Sequence, residues 1–266
     1  MTTGVDESLA ARWAWWHAER EEKLRQPHGW LSLTGLHWLT DEPQEFPGVP
    51  GSWRVSEGRA EVTATTADGL AVHGRRLSGT DGMTVPDDGA TTFAEFGDIA
   101  VEVIMRSGRY AIRVRDPHSP LRQGFTGVPT FPVSADWVIT AHLDRYPVPR
   151  DVRIDTAQQD LTGVESAVGD VRFTAGGTEH SLVAFAADDG ITVLFTDATS
   201  GRSTAAWRAL WVEVAPEETT VRLDFNRAVN LPSAFSDYGT CPKPPAGNEL
   251  SIAVEAGEQN PAGPLG

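Results

Sequence analysis

The stretch HSLVAFAADDGITVLFTD, His180–Asp197, decides the fold class. Two apolar runs flank the pair Asp189-Gly190, and Asp-Gly is among the stronger short-range signals for a β-hairpin. We therefore predict two antiparallel strands turned at this pair. Similar patterns elsewhere in the chain extend the prediction to most of the molecule.

The neighbouring segments show the same strand-and-turn pattern. VEVIMRSGRYAIRVRD, residues 101–116, predicts a hairpin around Ser107-Gly108, and RALWVEVAPEETTVRLDF, residues 208–225, predicts another. ADWVITAHLD, residues 135–144, and NELSIAVEAGE, residues 248–258, each predict a strand. Many short strands at near-regular spacing indicate a sandwich or a barrel.

One helix is predicted before the strands, over residues 6–26. Leu9, Trp13, Trp16 and Leu24 recur at the spacing of a single buried helical face, and Pro27 ends the pattern. An amphipathic helix of this kind usually packs across a sheet.

We predict a mainly β protein in which the N-terminal amphipathic helix precedes two β-rich, sandwich- or barrel-like regions. The predicted divisions are residues 1–30 for the helix, 31–120 for the first β region and 121–266 for the second. The boundary falls where proline and glycine accumulate, within residues 116–135.

Charge and composition restrict the classes of partner. The formal net charge is −15, which argues against nucleic acid, because binding phosphates requires clustered Lys and Arg. No polybasic segment is present for an anionic membrane, and no apolar run approaches the roughly 18 residues of a membrane span. We predict no nucleic-acid or membrane partner. The sequence carries no signal about oligomeric state.

The location is predicted to be cytoplasmic. The single cysteine, Cys241, excludes an internal disulfide and a zinc site built from several thiolates. The N-terminal residues lack the basic region and long apolar run of a signal peptide.

Common catalytic and cofactor motifs are absent from the sequence. There is no G-x-S-x-G elbow, no phosphate-binding P-loop and no dinucleotide fingerprint. The seven histidines never occur at H-x-H or H-x-x-x-H spacing. We predict neither a metal nor a cofactor.

Two segments carry the candidate site residues. In RVRDPHSPLRQGFTGVPTFPV, residues 113–133, Arg115 and Arg122 flank the rigid Asp116-Pro117 break, and paired guanidinium groups can hold a carboxylate or phosphate. Alternatively, Arg115 and Asp116 can pair with each other or with neighbouring residues and so stabilise the junction between the two β regions. A catalytic pairing of His118 with Ser119 is a further interpretation of this segment. In LFTDATSGR, residues 194–202, Asp197 ends an apolar strand and can cap the following turn or face a pocket at the rim of the sheet.

The second segment is DFNRAVNLPSAFSDYGTCPKPPAGNEL, residues 224–250. Asp224, Asn226, Arg227 and Asn230 supply donors and acceptors after a predicted strand, and four prolines stiffen the loop. Such a loop suits a small-molecule pocket. It also suits a covering segment that packs into the core.

Four motifs together resemble the bacterial DUF1684 family. They are GWLSLTGLHWL, residues 29–39; RVRDPHSPLRQGFTGVPTFPV; FTDATSG, residues 195–201; and LDFNRAVNLPSAFSDYGTCPKPPAGNELSIAVEAGE, residues 223–258. The resemblance implies no activity, since the family has no assigned function. It places these residues on positions similar to the family's motif residues: Arg115, Asp116, Arg122, Phe125, Asp197, Asp224, Asn226, Arg227, Asn230, Cys241, Pro242 and Asn248.

The chain departs from the pattern of the family at two places. Ser233 stands where relatives often carry a second cysteine, so a two-thiolate metal or redox role is not expected. RSTAAWRAL, residues 202–210, replaces a common tyrosine-glycine run. Relatives also show a segment, near EFPGVPGSWRV, residues 45–55 here, that resembles a forkhead-associated phosphopeptide-binding domain. This sequence lacks the Gly-Arg and serine expected of a phosphothreonine reader, so that function is not expected even if the β fold is similar.

Three hypotheses follow. In the first, the protein binds a small polar or anionic metabolite, with or without a cofactor-free hydrolase, isomerase or lyase reaction. Arg115 and Arg227 would clamp the acid group, Asn226, Asn230 and Asn248 would orient the rest, and Asp116 or Asp224 would be the general base. The full set of predicted ligand-binding residues is Arg115, Arg122, Asn226, Arg227, Asn230, Cys241 and Asn248.

The other two hypotheses need no metabolite. The second is a non-enzymatic β module that docks a peptide or protein through Trp13, Trp15 or Trp16. The third is purely structural: the Arg, Asp and Asn residues form an internal network. The sequence leaves all three open.

Overall fold

The computed structural model describes residues 3–261. It confirms the mainly β fold, with 48% of residues in strands and 15% in helices. The chain divides into two compact units, one formed by Lys23–Phe125 and the other by Met1–Glu22 together with Thr126–Gly266.

The N-terminal helix, α1, spans Thr3–Arg25 and ends just before Pro27. Leu9 and Leu24 are buried and Trp13 and Trp16 are half-buried, as the predicted apolar face requires. Within the described residues, no helix has the length and apolar character needed to cross a membrane. A second, one-turn helix, α2, spans Pro120–Gln123.

The unit Lys23–Phe125 contains two antiparallel sheets. Its strands are β1 Leu33–Trp38, β2 Gln44–Phe46, β3 Val49–Ser56, β4 Arg59–Ala64, β5 Ala71–Val72, β6 Arg75–Arg76, β7 Gly79–Met83, β8 Ala90–Phe96, β9 Ile99–Arg106 and β10 Arg109–Arg115. One sheet has the order β1-β10-β9-β8-β5-β6 and the other β2-β3-β4-β7. Both sheets contribute to one apolar core that includes Trp53, Val62, Leu70, Val101 and Ile112.

The hairpin of β9 and β10 confirms the predicted turn. Arg106 pairs with Arg109, which leaves Ser107 and Gly108 as the two turn residues. Their φ angles are 51° and 71°. Positive φ at both positions is the type I′ geometry that matches the twist of the flanking strands.

The other unit is built on one antiparallel seven-stranded sheet. Its strands are β11 Val138–Asp155, β12 Thr162–Ala175, β13 Thr178–Ala187, β14 Gly190–Phe195, β15 Arg208–Glu213, β16 Thr220–Asp224 and β17 Val229–Asn230. Their order is β16-β11-β12-β13-β14-β15-β17. The main core includes Leu143, Val171, Phe195, Leu210 and Phe225.

The hairpin of β13 and β14 forms as predicted, but its turn lies one residue earlier. Ala187 pairs with Gly190, so Asp188 and Asp189 occupy the turn. Gly190 is needed for a different reason, because a Cβ there would lie 2.1 Å from the carbonyl oxygen of Val212. Gly190 follows the turn, and both the close approach of β15 and its φ of +156° require a glycine there.

The predicted hairpin over residues 208–225 is wrong. β15 and β16 both form, but β16 pairs with β11, while β15 pairs with β14 and β17. Both edges of β15 are therefore already occupied by other strands.

The predicted final strand over residues 248–258 is also wrong. The segment has only isolated bridges, Thr196 with Glu249 and Thr130 with Glu258. Leu250, Val254 and Ala256 are nevertheless buried in the core of the seven-stranded sheet. The alternating apolar residues therefore indicate that an irregular segment is buried, and not that a strand forms. We call this segment, residues 248–258, the plug.

Candidate functional site

Arg115 ends β10 with its guanidinium turned to protein acceptors. Nη1 donates to the carbonyl oxygens of His28 and Gly29 at 3.2 and 2.9 Å, and Nη2 donates to Glu102 at 3.1 Å. The residue is only 8% exposed. These contacts favour the structural interpretation of Arg115.

Asp116 and Arg122 fix the turn that follows. Asp116 Oδ1 accepts the backbone N–H of His118 at 2.7 Å. Arg122 donates from Nε to the carbonyl of Arg25 and from Nη1 to that of Pro117, both at 2.8 Å. A carboxylate that caps a turn and a guanidinium on backbone carbonyls are ordinary structural uses of these groups.

The expected pairing of His118 with Ser119 is not formed. The Ser119 hydroxyl donates to the carbonyl of Leu31 at 2.6 Å and is buried. The His118 imidazole instead lies 3.2 Å from Asp98 Oδ2. Ser119 is therefore a structural hydroxyl and not an activated nucleophile.

Asn248 joins two strands at the point where they separate. The register of β13 and β14 runs from Ala187–Gly190 only as far as Phe185–Thr192. Beyond it, Asn248 Oδ1 accepts from Val183 N–H at 2.8 Å, and Nδ2 donates to the carbonyls of Val183 and Leu194 at 3.0 and 2.8 Å. The side-chain amide thus substitutes for a backbone ladder.

The plug is held by a buried ion pair. Arg208 Nη2 lies 2.8 Å from Asp197 Oδ2, and both side chains are fully buried. The same guanidinium donates to the plug carbonyls of Val254, at 2.9 Å, and Ala256. Asp197 Oδ1 accepts from Val254 N–H and from Thr199. Burial lowers the pKa of Arg208 and Asp197 opposes that shift.

Asp197 therefore caps the turn after β14, as one interpretation expected, and also pairs with a residue that sequence analysis missed. Arg208 has a visible signal. It alternates with Leu210 and Val212 on the buried face of β15. An arginine in that phase must find a buried acid and further acceptors.

Asn226 anchors a second cluster. Its Nδ2 donates to Ser134 O and Asp224 Oδ1, both at 2.9 Å, and its Oδ1 accepts from Ser134 N–H at 2.9 Å. Its carbonyl accepts the Trp13 indole N–H at 2.7 Å. Every side-chain group of this buried asparagine is therefore used within the protein.

Asp224 and Arg227 form a loose pair beside the Asn226 cluster, with Nε 3.7 Å from Oδ2. The Arg227 guanidinium lies 5.5 Å from the Trp16 ring centroid, and its side chain remains 38% exposed. With Trp13 bonded and Trp16 covered, Trp15 is the tryptophan of this helix that stays largely exposed, at 67%. A single exposed side chain gives little support to partner docking.

Asn230 belongs to a third cluster around Glu258, which sequence analysis also missed. Glu258 Oε2 accepts the Asn230 backbone N–H at 2.6 Å, and Oε1 lies 3.1 Å from Arg20 Nε. Asn230 Nδ2 donates to the carbonyl of Gln259 at 2.7 Å. Glu258 lies in the plug and is 1% exposed.

The predicted site residues thus fall into separate groups. Arg115, Asp116 and Arg122 belong to the unit Lys23–Phe125, whereas the asparagines, Asp224, Arg227 and Cys241 belong to the other unit. Most of their polar atoms bond to backbone. Contact of any of them with a ligand stays a prediction.

A cavity of about 440 Å³ opens on the loop of residues 231–245; we call it the motif-loop pocket. Its walls include Gln158, Gln159, Trp207, Ser233, Ser236 and Asp237. Sequence analysis did not select these residues, although Ser233 and the Trp207 segment were noted as departures from the family pattern. Ser233 and Trp207 carry no charge, and neither belongs to a recognised catalytic or binding motif.

Backbone contacts hold the wall of this pocket. Gln158 Nε2 donates to the carbonyls of Asp237 and Gly239 at 2.7 and 2.8 Å. The backbone N–H of Ala157, another wall residue, donates to Cys241 O at 2.8 Å. Cys241 is buried, and its carbonyl oxygen holds the loop against that wall.

The loop is also tightly folded on itself. A Cβ on Gly239 would lie 2.9 Å from Ser233 N and 3.0 Å from its Cα. Pro232, Pro242, Pro244 and Pro245 limit the alternatives open to the unfolded chain. The backbone of the loop is therefore fixed before any ligand arrives.

Comparisons with known proteins identify a family and no activity. The family model described as "Protein of unknown function (DUF1684)" matches residues 123–259, just over half of the chain. A solution NMR structure of an uncharacterised protein from Haloarcula marismortui is 31% identical, covering 52% of this chain and 79% of that one, with a TM-score of 0.43. No curated protein matches.

Proposed function

Because the chain belongs to the DUF1684 family, which has no assigned function, we propose a function from the geometry of the matched segment. The protein binds a small polar or anionic metabolite in the motif-loop pocket. The volume of about 440 Å³ lies within the range of small-molecule sites.

An unpartnered indole carries this proposal. Trp207 Nε1 is buried and has no hydrogen-bond acceptor among the described residues. Leaving such a donor unsatisfied costs on the order of 1–3 kcal/mol. Nε1 itself has almost no accessible surface, so a ligand oxygen would supply the missing acceptor only after the side chains that cover this nitrogen move aside.

The surrounding groups favour a ligand that is rich in acceptors. Ser233 and Ser236 offer hydroxyls and Gln159 an amide at the wall. Lys243 Nζ lies 6.0 Å from the centroid of the Trp207 ring and adds positive charge beside the cavity. The exposed Asp237 carboxylate can accept from a ligand hydroxyl. A small hydroxy acid fits this combination best.

We propose binding and not catalysis at this pocket. The predicted general bases, Asp116 and Asp224, are used elsewhere: one caps the His118 turn and the other accepts from Asn226. A cofactor-free reaction stays a prediction without an assigned base.

We also propose a cytoplasmic location and no nucleic-acid partner. The net charge of −15 and the single cysteine support this part of the proposal.

A thermal-shift screen with small carboxylic acids, hydroxy acids and polyols tests the proposal. At least one hydroxy acid should raise Tm of the wild-type protein, by the linkage of binding to folding. Trp207→Phe keeps the ring and removes the N–H, so it should lose most of the ligand-induced shift while its unliganded Tm stays close to wild type.

Trp211→Phe is the matched control, because Trp211 is 63% exposed and lies outside this pocket. It should respond to ligand like the wild type. The proposal fails if Trp207→Phe keeps the full shift, or if the entire panel leaves wild-type Tm unchanged.

A further inference from the structure

Arg208 and Asn230 lie side by side on the buried face of the seven-stranded sheet. They are directly opposite each other in the pairing of β15 with β17. Residues in that position point to the same face of an antiparallel pair, with Cβ atoms about 4.5–5.5 Å apart. Arg208 is 0% exposed and Asn230 is 1% exposed. Any polar group left over between these two side chains is therefore cut off from bulk solvent.

The Arg208 guanidinium leaves one N–H donor unused. Nη1 donates to the carbonyls of Ala256 and Glu258. Nη2 donates to the Asp197 carboxylate and to the carbonyl of Val254. The remaining donor of the guanidinium is the N–H on Nε. This nitrogen has almost no accessible surface and no hydrogen-bond acceptor among the described residues.

Asn230 has the complementary unmet group, an acceptor. Its Nδ2 donates to the carbonyl of Gln259 at 2.7 Å, and its own carbonyl accepts from Arg20 Nη2 at 2.8 Å. Because the Gln259 carbonyl can only accept, the amide orientation is fixed with nitrogen on that side. Oδ1 is thereby identified as the second amide atom, and it is buried without a donor within residues 3–261.

An unmet donor facing an unmet acceptor restricts what can lie between them. An anion accepts from Nε–H but has no proton to donate to Oδ1, whereas a metal ion binds Oδ1 but cannot accept from Nε–H. The surrounding charges are already balanced, because Asp197 pairs with Arg208 and Glu258 pairs with Arg20. The site therefore suits a small neutral molecule that both donates and accepts. Water does both, and buried waters make roughly two to four hydrogen bonds to groups that lack other partners.

We propose that one buried water bridges the two side chains, accepting from Arg208 Nε–H and donating to Asn230 Oδ1. This water connects β17 to the guanidinium that holds the plug, and so it is part of the fold at the junction of β15, β17 and the plug. Neither Arg208 nor Asn230 lines the motif-loop pocket. The inference is therefore independent of the proposed function and is tested separately.

A crystal structure of the wild-type protein at atomic resolution is the direct test. It should show one ordered water within about 3.2 Å of both Arg208 Nε and Asn230 Oδ1. The inference is overturned if these two atoms bond directly to each other, if another protein group fills the space, or if the density there is missing or belongs to an ion.

A second test counts long-lived internal waters in solution by ¹⁷O magnetic relaxation dispersion. Arg208→Lys places a methylene where Nε stands and keeps a cation that can pair with Asp197, so this variant should hold one long-lived water fewer than the wild type. Arg202→Lys is the matched control, because Arg202 is exposed, and it should keep the wild-type count. Equal counts in Arg208→Lys and the wild type would contradict the bridge. If Arg208→Lys does not fold, the wild-type crystal structure decides the question alone.

Discussion

At the scale of single residues, the buried Asp197–Arg208 pair holds the plug through contacts with its backbone. Both side chains are fully buried, and the guanidinium also binds plug carbonyls. Removing one partner of a buried pair leaves the other charge unpaired in a medium that solvates it poorly, which is why such losses are large.

Asp197→Ala should therefore lower the free energy of unfolding by about 3–5 kcal/mol. Urea unfolding followed by circular dichroism measures the loss. Asp144→Ala is the control, because its pair with Arg172 is half exposed; an exposed pair contributes at most about 1 kcal/mol. Equal losses in the two variants would contradict the role of the buried pair.

The sequence shows which residues can donate and accept hydrogen bonds, but it does not show which partners they bind. Asn226 and Asn248 are recognisable as donors and acceptors in fixed geometry, but their partners, Ser134 and Val183, are far away in sequence. The phase of Arg208 on β15 indicates that its charge is buried, but the sequence does not identify its partner Asp197, and the same holds for Glu258 and its partner Arg20.

At the scale of elements, the turn sequence predicted a hairpin more reliably than apolar alternation predicted which strands pair. Ser107-Gly108 forms the predicted turn, whereas strand pairing after residue 208 was predicted wrongly. The plug shows why. Its Leu250, Ile252 and Val254 alternate like a strand, but its carbonyls bond to the Arg208 guanidinium, and no ladder forms along it.

Asn248→Ala tests the junction between β13 and β14. The change leaves the Val183 N–H and the carbonyls of Val183 and Leu194 without their side-chain partner. We expect a loss of about 2–4 kcal/mol, since each unsatisfied buried group costs on the order of 1–3 kcal/mol and water offsets part of it. Urea unfolding measures this loss.

Asn260→Ala serves as its control, because that side chain makes one exposed hydrogen bond, to the carbonyl of Arg202. Its effect should stay within about 0.5 kcal/mol. An Asn248 variant as stable as the Asn260 variant would show that the amide does not hold the strands.

Gly190→Ala tests the close approach of β15 to the hairpin of β13 and β14. The new Cβ would lie 2.1 Å from Val212 O, so the strands must move apart and we expect a loss of about 2–4 kcal/mol. Gly177→Ala has positive φ but open space around it, and should lose only about 1 kcal/mol. Thermal unfolding distinguishes them, and similar Tm values would contradict the steric account.

At the scale of the whole molecule, each unit uses its motif residues to hold backbone in place. In the unit of the seven-stranded sheet, Asn248 and the buried ion pair of Asp197 with Arg208 fix the plug, and Gln158 holds the loop of residues 231–245. In the unit Lys23–Phe125, Arg115, Asp116 and Arg122 fix the turn after β10. We infer that these residues position backbone, and that less conspicuous neighbours would contact a ligand.

The indole resonance of Trp207 tests the central claim most directly. In ¹H–¹⁵N spectra its Nε1–H signal is identified by its loss in Trp207→Phe, and the stabilising acid from the screen is then added. We predict a saturable downfield shift of this proton as it gains an acceptor, with the exposed Trp211 indole unchanged. An unchanged Trp207 signal at a saturating concentration would contradict binding in the motif-loop pocket.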